Sequence, residues 1–204
     1  TQDTHFKNLI YAAYTYTLDK SVGLIMDQVA AVGQTTNTVF VFASDNGATP
    51  RGDNRPFNGG KHSLFDGGVH VPAAIWWPQH FDKNSANYTP AKNEYPGMIT
   101  YLDIYPTLMS MTGNPLLGTN LDGFDCWTHL QNKTECRPNL ADAEFWMWLD
   151  YGTVRTERWK LFYSESKNQI DLYDLYNDVG ESNDVQGSNA AIRDQLISLY
   201  QNWI

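Results

Sequence analysis

The run Val39-Phe40-Val41-Phe42-Ala43, within "NTVFVFASDNG", constrains this chain more than any other stretch. Its consecutive apolar positions are rich in β-branched and aromatic side chains and leave no polar face. Such a run predicts a strand covered on both sides, as in a parallel sheet. Leu9, Ile10, Ala13, Val22, Ile25, Met26 and Val29 recur at roughly helical spacing before it, over Phe6 to Val32, and Gly33 supplies a C-terminal stop. Helix, short turn and buried strand make half of an α/β unit. A glycine-rich stretch from Gly47 to Gly68 follows without periodicity. A loop that long inside a compact domain is usually functional.

"VPAAIWWP" reads as a second buried strand, and Ser85 to Tyr95 as a surface excursion. Tyr101 to Met111 predicts a helix with Pro106 in or near its first turns. "FWMWLDY" and "VRTERWKLFYS" read as strands, with Glu157-Arg158 as the turn between Val154 and Leu161. Ala190 to Ile204 predicts a last helix with Ile192, Leu196, Leu199, Tyr200 and Trp203 on one side. The expected organisation is α/β over residues 1–136, then a small strand-rich subdomain with a terminal helix over 137–204. Trp76, Trp77, Trp146 and Trp148 are assigned to core packing ahead of a sugar or aryl pocket. Asp103 reads as a helix cap or dipole partner. Asp174, Asp178 and Glu181 read as turn formers and a solvated face.

At 204 residues the chain can bury a core. Its net charge of −9, without a basic run, argues against nucleic acid as a partner. No apolar run reaches membrane-spanning length. The first residues, "TQDTHFKNLI", do not form a signal peptide, so the targeting segment of an exported protein would lie upstream of Thr1 or be removed. Cys126 and Cys136, in "CWTHLQNKTEC", have the spacing of a short disulfide-closed loop. Sequons stand at Asn87 and Asn132, the second between the cysteines. Together they favour a secreted or lysosomal protein over one with free buried thiols and unused sequons.

The chemistry concentrates after the first strand. Ligands in open α/β sheets sit beyond the carboxyl ends of strands, where Asp45 and Asn46 fall. A carboxylate beside an amide oxygen offers two hard ligands for Ca²⁺ or Mg²⁺, and Gly47 lets the backbone turn sharply. The blander reading is an Asx-type turn closing a strand. Lys61 follows Gly59-Gly60, and its compact ammonium can hold an oxyanion such as sulfate or phosphate. Alone, it would read as a solvated surface lysine.

These residues resemble a known family. "VFVFASDNG" followed by "NRPFNGGKHSLFDGGVHVPA" is similar to the sulfatase pattern of Asp-Asn-Gly, then Pro-Leu-Arg-Gly-x-Lys and Glu-Gly-Gly-x-Arg-x-Pro. "TYLDIYPTLMSMTG", "LDGFDCW", "VRTERWKLFY" and "LYDLYNDVGESNDV" resemble later sulfatase segments in the same order. The likeness is greatest to the arylsulfatase B-like branch and covers only the family's carboxyl-terminal half. It implies an alkaline-phosphatase-like sandwich with a mostly parallel central sheet, plus a small C-terminal antiparallel sheet and terminal helix. It also implies that Asp45 and Asn46 are metal ligands, for Ca²⁺ ahead of Mg²⁺. By the same resemblance, Lys61 is a catalytic residue that grips the sulfate of an aryl or sugar ester.

The family's nucleophile, a formylglycine made from Cys or Ser in Cys/Ser-x-Pro-x-Arg, is absent from this sequence. "CRPNL" at Cys136 misses it, because Leu140 stands where Arg is needed. The upstream metal ligands and assisting histidines have no counterpart either. Asn58 replaces a family arginine, Asp66 a glutamate and His70 an arginine; Asp66 and His70 retain the ability to pair. The implied function is one chain of an arylsulfatase-type hydrolase, inactive alone and completed by an N-terminal chain of the same precursor that brings the formylglycine. Thr1 is then expected to be a cleavage product. The alternative is a catalytically inactive, sulfatase-derived extracellular structural or binding protein. A third class, adhesion through Arg51-Gly52-Asp53, rests on a tripeptide that arises often by chance.

Overall fold

The computed structural model describes residues 2–49, 51–78, 80–81, 94–114 and 120–204. The chain forms two compact units, Thr1–Asn93 and Glu94–Ile204. Residue 136, where the sequence suggested a change of character, lies inside the second unit.

The first unit begins with helix α1, Gln2–Ala31. Its end is chemically determined. Gly33 adopts φ +71°. That lets the Gly33 amide donate to the Ala30 carbonyl and the Gln34 amide to the Val29 carbonyl, the two bonds of a Schellman motif. A short 3₁₀ turn over Thr35–Asn37 leads into strand β1, Phe40–Ala43. The Trp77 indole donates to the Thr36 carbonyl at 3.1 Å and ties that turn to the second strand's end. Strand β2, Ala73–Trp76, pairs with β1 antiparallel, Phe40 opposite Trp76 and Ala43 opposite Ala73. A parallel neighbour was expected for β1. A parallel neighbour next in sequence needs a crossover carrying the chain back to the strand's start. The connection here holds only the four-residue helix α2, Asp66–Val69, and returns at the same end, where the Ser44 amide donates to the Pro72 carbonyl. Val41 and Phe42, on opposite faces, are 38% and 39% exposed, so neither face of the strand is fully covered among the described residues.

The second unit opens with α3, Tyr101–Met111, capped by Thr100 and Asp103 in a reciprocal box. Pro106 lies mid-helix rather than in the first turn and leaves the Leu102 carbonyl without its helical donor. Gly123 packs against that carbonyl so closely that a Cβ there would lie 1.9 Å from its oxygen. Helix α4, Trp127–Asn132, sits within the loop closed by the Cys126–Cys136 disulfide, whose Cα atoms are 5.5 Å apart. The Tyr95 hydroxyl braces this loop, accepting from the Cys136 amide and donating to the Thr134 carbonyl.

Four antiparallel strands follow in simple order: β3 Glu144–Trp148, β4 Tyr151–Arg155, β5 Trp159–Ser164 and β6 Gln169–Asp174. Val154, Leu161 and Leu172 stand opposite one another across β4, β5 and β6. All three are fully buried with Leu196 of helix α5, Ala190–Trp203. Each such side chain contributes about 1.5–3 kcal/mol of burial. Gly152 is needed because the Tyr200 ring occupies the space a Cβ would take, 2.1 Å away. Trp77 is buried, but Trp148 is 54% exposed at the β3–β4 turn, against the core assignment. Two tail residues also depart from the solvated face expected of them. Glu181 is fully buried with its carboxylate 2.9 Å from the fully buried Lys160 ammonium, and Asp174 is buried against Arg158. Lys160 draws Glu181 inward, since a buried cation needs a paired anion, while the half-exposed Arg158 holds Asp174 through two charge-assisted hydrogen bonds.

Candidate functional site

The site grows from the end of β1. Ser44 Oγ donates to the Asn46 carbonyl at 3.0 Å, which folds the chain over just past the strand. Asn46 Nδ2 donates to Asp45 Oδ1 at 3.1 Å, so the carboxylate and amide predicted to act together do lie together. Gly47 is buried and its amide donates to the Gly68 carbonyl at 2.9 Å. A Cβ on Gly47 would stand 1.7 Å from the Gly67 oxygen. The glycine therefore permits a close approach of two backbones, the strand end and α2.

Lys61 is brought to the same wall by backbone. Its amide donates to the Ala48 carbonyl at 3.1 Å, two residues past Asn46. Asn54 clamps this contact. Its Oδ1 accepts from the Ala48 amide at 2.7 Å, and its Nδ2 donates to the carbonyls of Ala48 and Gly59. Sequence reasoning passed over Asn54, and one asparagine in a polar loop carries no mark of such a role. Gly59 at φ +76° and His62 at φ +71° hold the lysine turn in the left-handed region, unusual for a histidine. The Lys61 side chain is exposed and lines a cavity of about 350 Å³ with Thr49, Asn54, Arg55, Phe57 and Gly60 among others. Asp45 and Asn46 lie outside that lining.

Asp66 is buried, and His70 Nδ1 lies 3.5 Å from its Oδ2, one helical turn apart. Asp66 and His70 thus meet as the sequence allowed. Asn58 is exposed; its carbonyl accepts from the Gly67 amide at 2.7 Å. In the Arg-Gly-Asp tripeptide, both Asp53 carboxylate oxygens are taken by Arg55, at 2.8 Å from Nε and 2.5 Å from Nη2. Those hydrogen bonds lower the Asp53 carboxyl to about 2. The carboxylate an adhesion motif must present is therefore already engaged.

Two oxygen ligands, Asp45 and Asn46, are fewer than the roughly six to eight that Ca²⁺ takes. Among the described residues no cluster of three or more His, Cys, Asp or Glu side chains could complete the set. The donor type fits a hard cation, but the donor number does not make a closed site.

In the second unit, an ion cluster joins the α3 cap to the disulfide. Arg137, next to Cys136, donates to both Asp103 oxygens at 3.0 and 2.5 Å and lies 2.8 Å from Glu144. Arg137 and Asp103 are essentially unexposed, and burial pushes the Glu144 carboxyl up despite the nearby guanidinium. Asp103 is thus both the predicted cap and an ion-pair partner. Asn132 is exposed at the end of α4 with its sequon, whereas Asn87 lies outside the described residues.

The sulfatase family profile matches residues 5–114. A sulfatase of Formosa agariphila is 27% identical over 94% of this chain and 38% of its own length. Human arylsulfatase A is 34% identical over 53% of the chain and 20% of its own length. The solved structure of Ps i-CgsB in complex with k-i-k-neocarrahexaose superposes with TM-score 0.82 at 26% identity, covering 97% of this chain and 43% of that one. The chain thus spans about two fifths of the length of those relatives that it matches throughout. The matched profile contains the β1 end, the lysine turn and the whole cavity, and the fold is the alkaline-phosphatase-like α/β fold of the sulfatases. On that match and those neighbours, the chain belongs to the sulfatase family.

Proposed function

We propose that this chain supplies the metal- and sulfate-binding part of an arylsulfatase-type sulfuric ester hydrolase. The observation that carries the reading is the Ala48–Lys61 backbone bond, which joins the lysine turn to the Asp45-Asn46 strand end. Asp45 and Asn46 would give two oxygens to a Ca²⁺ ion, which supplies Lewis-acid polarisation of the sulfate when bound. Lys61 would hold the sulfate by a charge-assisted contact as negative charge develops. The nucleophile and the remaining ligands belong to a sulfatase segment outside this sequence, an N-terminal chain of the same precursor. The apolar surface of α1 and β1 supports such a partner: Leu9, Leu18, Leu24 and Ile25 are each more than half exposed. The disulfide and the exposed Asn132 sequon support a secreted or lysosomal location.

Lys61→Ala tests this in the full-length protein supplied with Ca²⁺. Hydrolysis of 4-nitrophenyl sulfate is expected to fall about 10²–10³-fold, as for loss of a group that stabilises developing charge. Undiminished turnover in the variant would remove Lys61 from the site. A second reading, a sulfatase-derived binding protein without catalysis, is favoured by the neutral, exposed side chain of Asn58, which cannot replace a guanidinium. Absence of any turnover by the wild-type protein would select it.

A further inference from the structure

The cavity beside Lys61 holds a second cation. Arg55 lines it too, with its side chain 86% exposed. Asp53 accepts from Arg55 Nε and Nη2 but is not itself part of the lining. The two-point contact fixes the guanidinium plane against Asp53, and no hydrogen bond engages Nη1 among the described residues. Among the described residues the lining contains Arg55 and Lys61 and no carboxylate. Phe57 gives an apolar wall, its ring 4.3 Å from that of His70. At about 350 Å³ the space exceeds one sulfate group and suits a sugar-sized ligand.

We propose that Arg55 is a specificity residue that binds a second anionic group of the substrate, while Lys61 takes the ester sulfate. The preferred substrate class is then a sugar sulfate bearing a further sulfate or carboxylate, in preference to a small monoanionic aryl ester. A planar guanidinium with spare donors is the group suited to either anion. This inference rests on the assignment of Lys61 to the sulfate.

The test uses the full-length protein and three disaccharides: monosulfated, disulfated, and monosulfated with a uronate. The readout is the ratio of kcat/KM for each dianionic substrate to that for the monosulfated one. Arg55→Gln is expected to lower at least one ratio about tenfold, and Arg55→Lys to restore part of it; which ratio falls identifies the second anion. A merely structural role would depress all three substrates together and leave the ratios at the wild-type value, which overturns the proposal. Arg51→Gln, a neighbouring cation outside the lining, is expected to leave the ratios unchanged. An equal drop there would reduce the effect to bulk charge and overturn the assignment. If the wild-type protein hydrolyses none of them, the hydrolase reading fails by itself. The same ratios taken from equilibrium dissociation constants then decide on Arg55.

Discussion

Asp45, Asn46 and Lys61 owe their placement to residues that carry no chemistry of their own. Gly47 lets the strand end touch α2, and Gly67 lets α2 touch the Asn58-Gly59 backbone, where any side chain would collide. Gly47→Ala must push the strand end off α2 and is expected to cost about 1–3 kcal/mol, the usual scale of overpacking. Chemical denaturation would measure it, and an unchanged midpoint would show that the contact is dispensable. Asn54 is the other case: an amide that pairs with both polar groups of Ala48 does for a loop what a neighbouring strand does for a sheet. The chemistry-bearing residues were legible because residue type and order announce them. Asn54 was not, because its role exists only once the Gly59 and Ala48 carbonyls converge.

Among the elements, the antiparallel sheet of the second unit was the most legible. The apolar runs of β3 and β5 and the Glu157-Arg158 turn are encoded locally, whereas the Leu149-Asp150 turn was hidden inside an expected strand and the polar-interrupted β6 was not read as one; the in-register Val154, Leu161 and Leu172 follow from short connections. The acidic tail was not legible, because a carboxylate in a turn-rich segment looks solvated until the cation that pairs with it is seen beside it. Arg158 donates to Asp174 at 2.9 and 2.7 Å and holds its carboxyl below the ordinary range. A carboxyl depressed in the folded state contributes stability above its unfolded value of about 3.9, and loses it as pH falls through the folded one. Asp174→Asn is therefore expected to flatten the fall in urea midpoint between about pH 5 and pH 2 relative to wild type. Equal slopes in the two proteins would remove Asp174 from the acid response.

Across the whole molecule, the disulfide and the uncovered apolar surface matter most. The Cys126–Cys136 bond closes a short loop that carries α4, braced by Tyr95 and flanked by the Arg137 cluster. Replacing both cysteines by serine is expected to cost about 2–3 kcal/mol by the loop-entropy relation, read as a lower denaturation midpoint. A shift near zero would mean that the hydrogen bonds of Tyr95 and Arg137 suffice. The apolar surface of α1 and β1 predicts that the isolated chain binds a hydrophobic dye strongly, and that the full-length protein does so at least severalfold less. Equal dye binding would count against a covering segment.

By itself the sequence determined α1, α3 and α5, the apolar strands β1, β2, β3 and β5, and the family's strand-end and lysine motifs, since these depend on periodicity, turn chemistry and residue order over short spans; the short helices α2 and α4 and the strand β6 were not read from it. The tertiary structure alone decided the antiparallel partner of β1, the position of Gly123 against the carbonyl freed by Pro106, and the burial of Lys160 with Glu181. It also decided that Arg55 shares a cavity with Lys61 while its own carboxylate partner lies outside the lining. Each of these depends on which groups distant in sequence, or folded back within a loop, arrive at the same place. Local pattern does not carry that information.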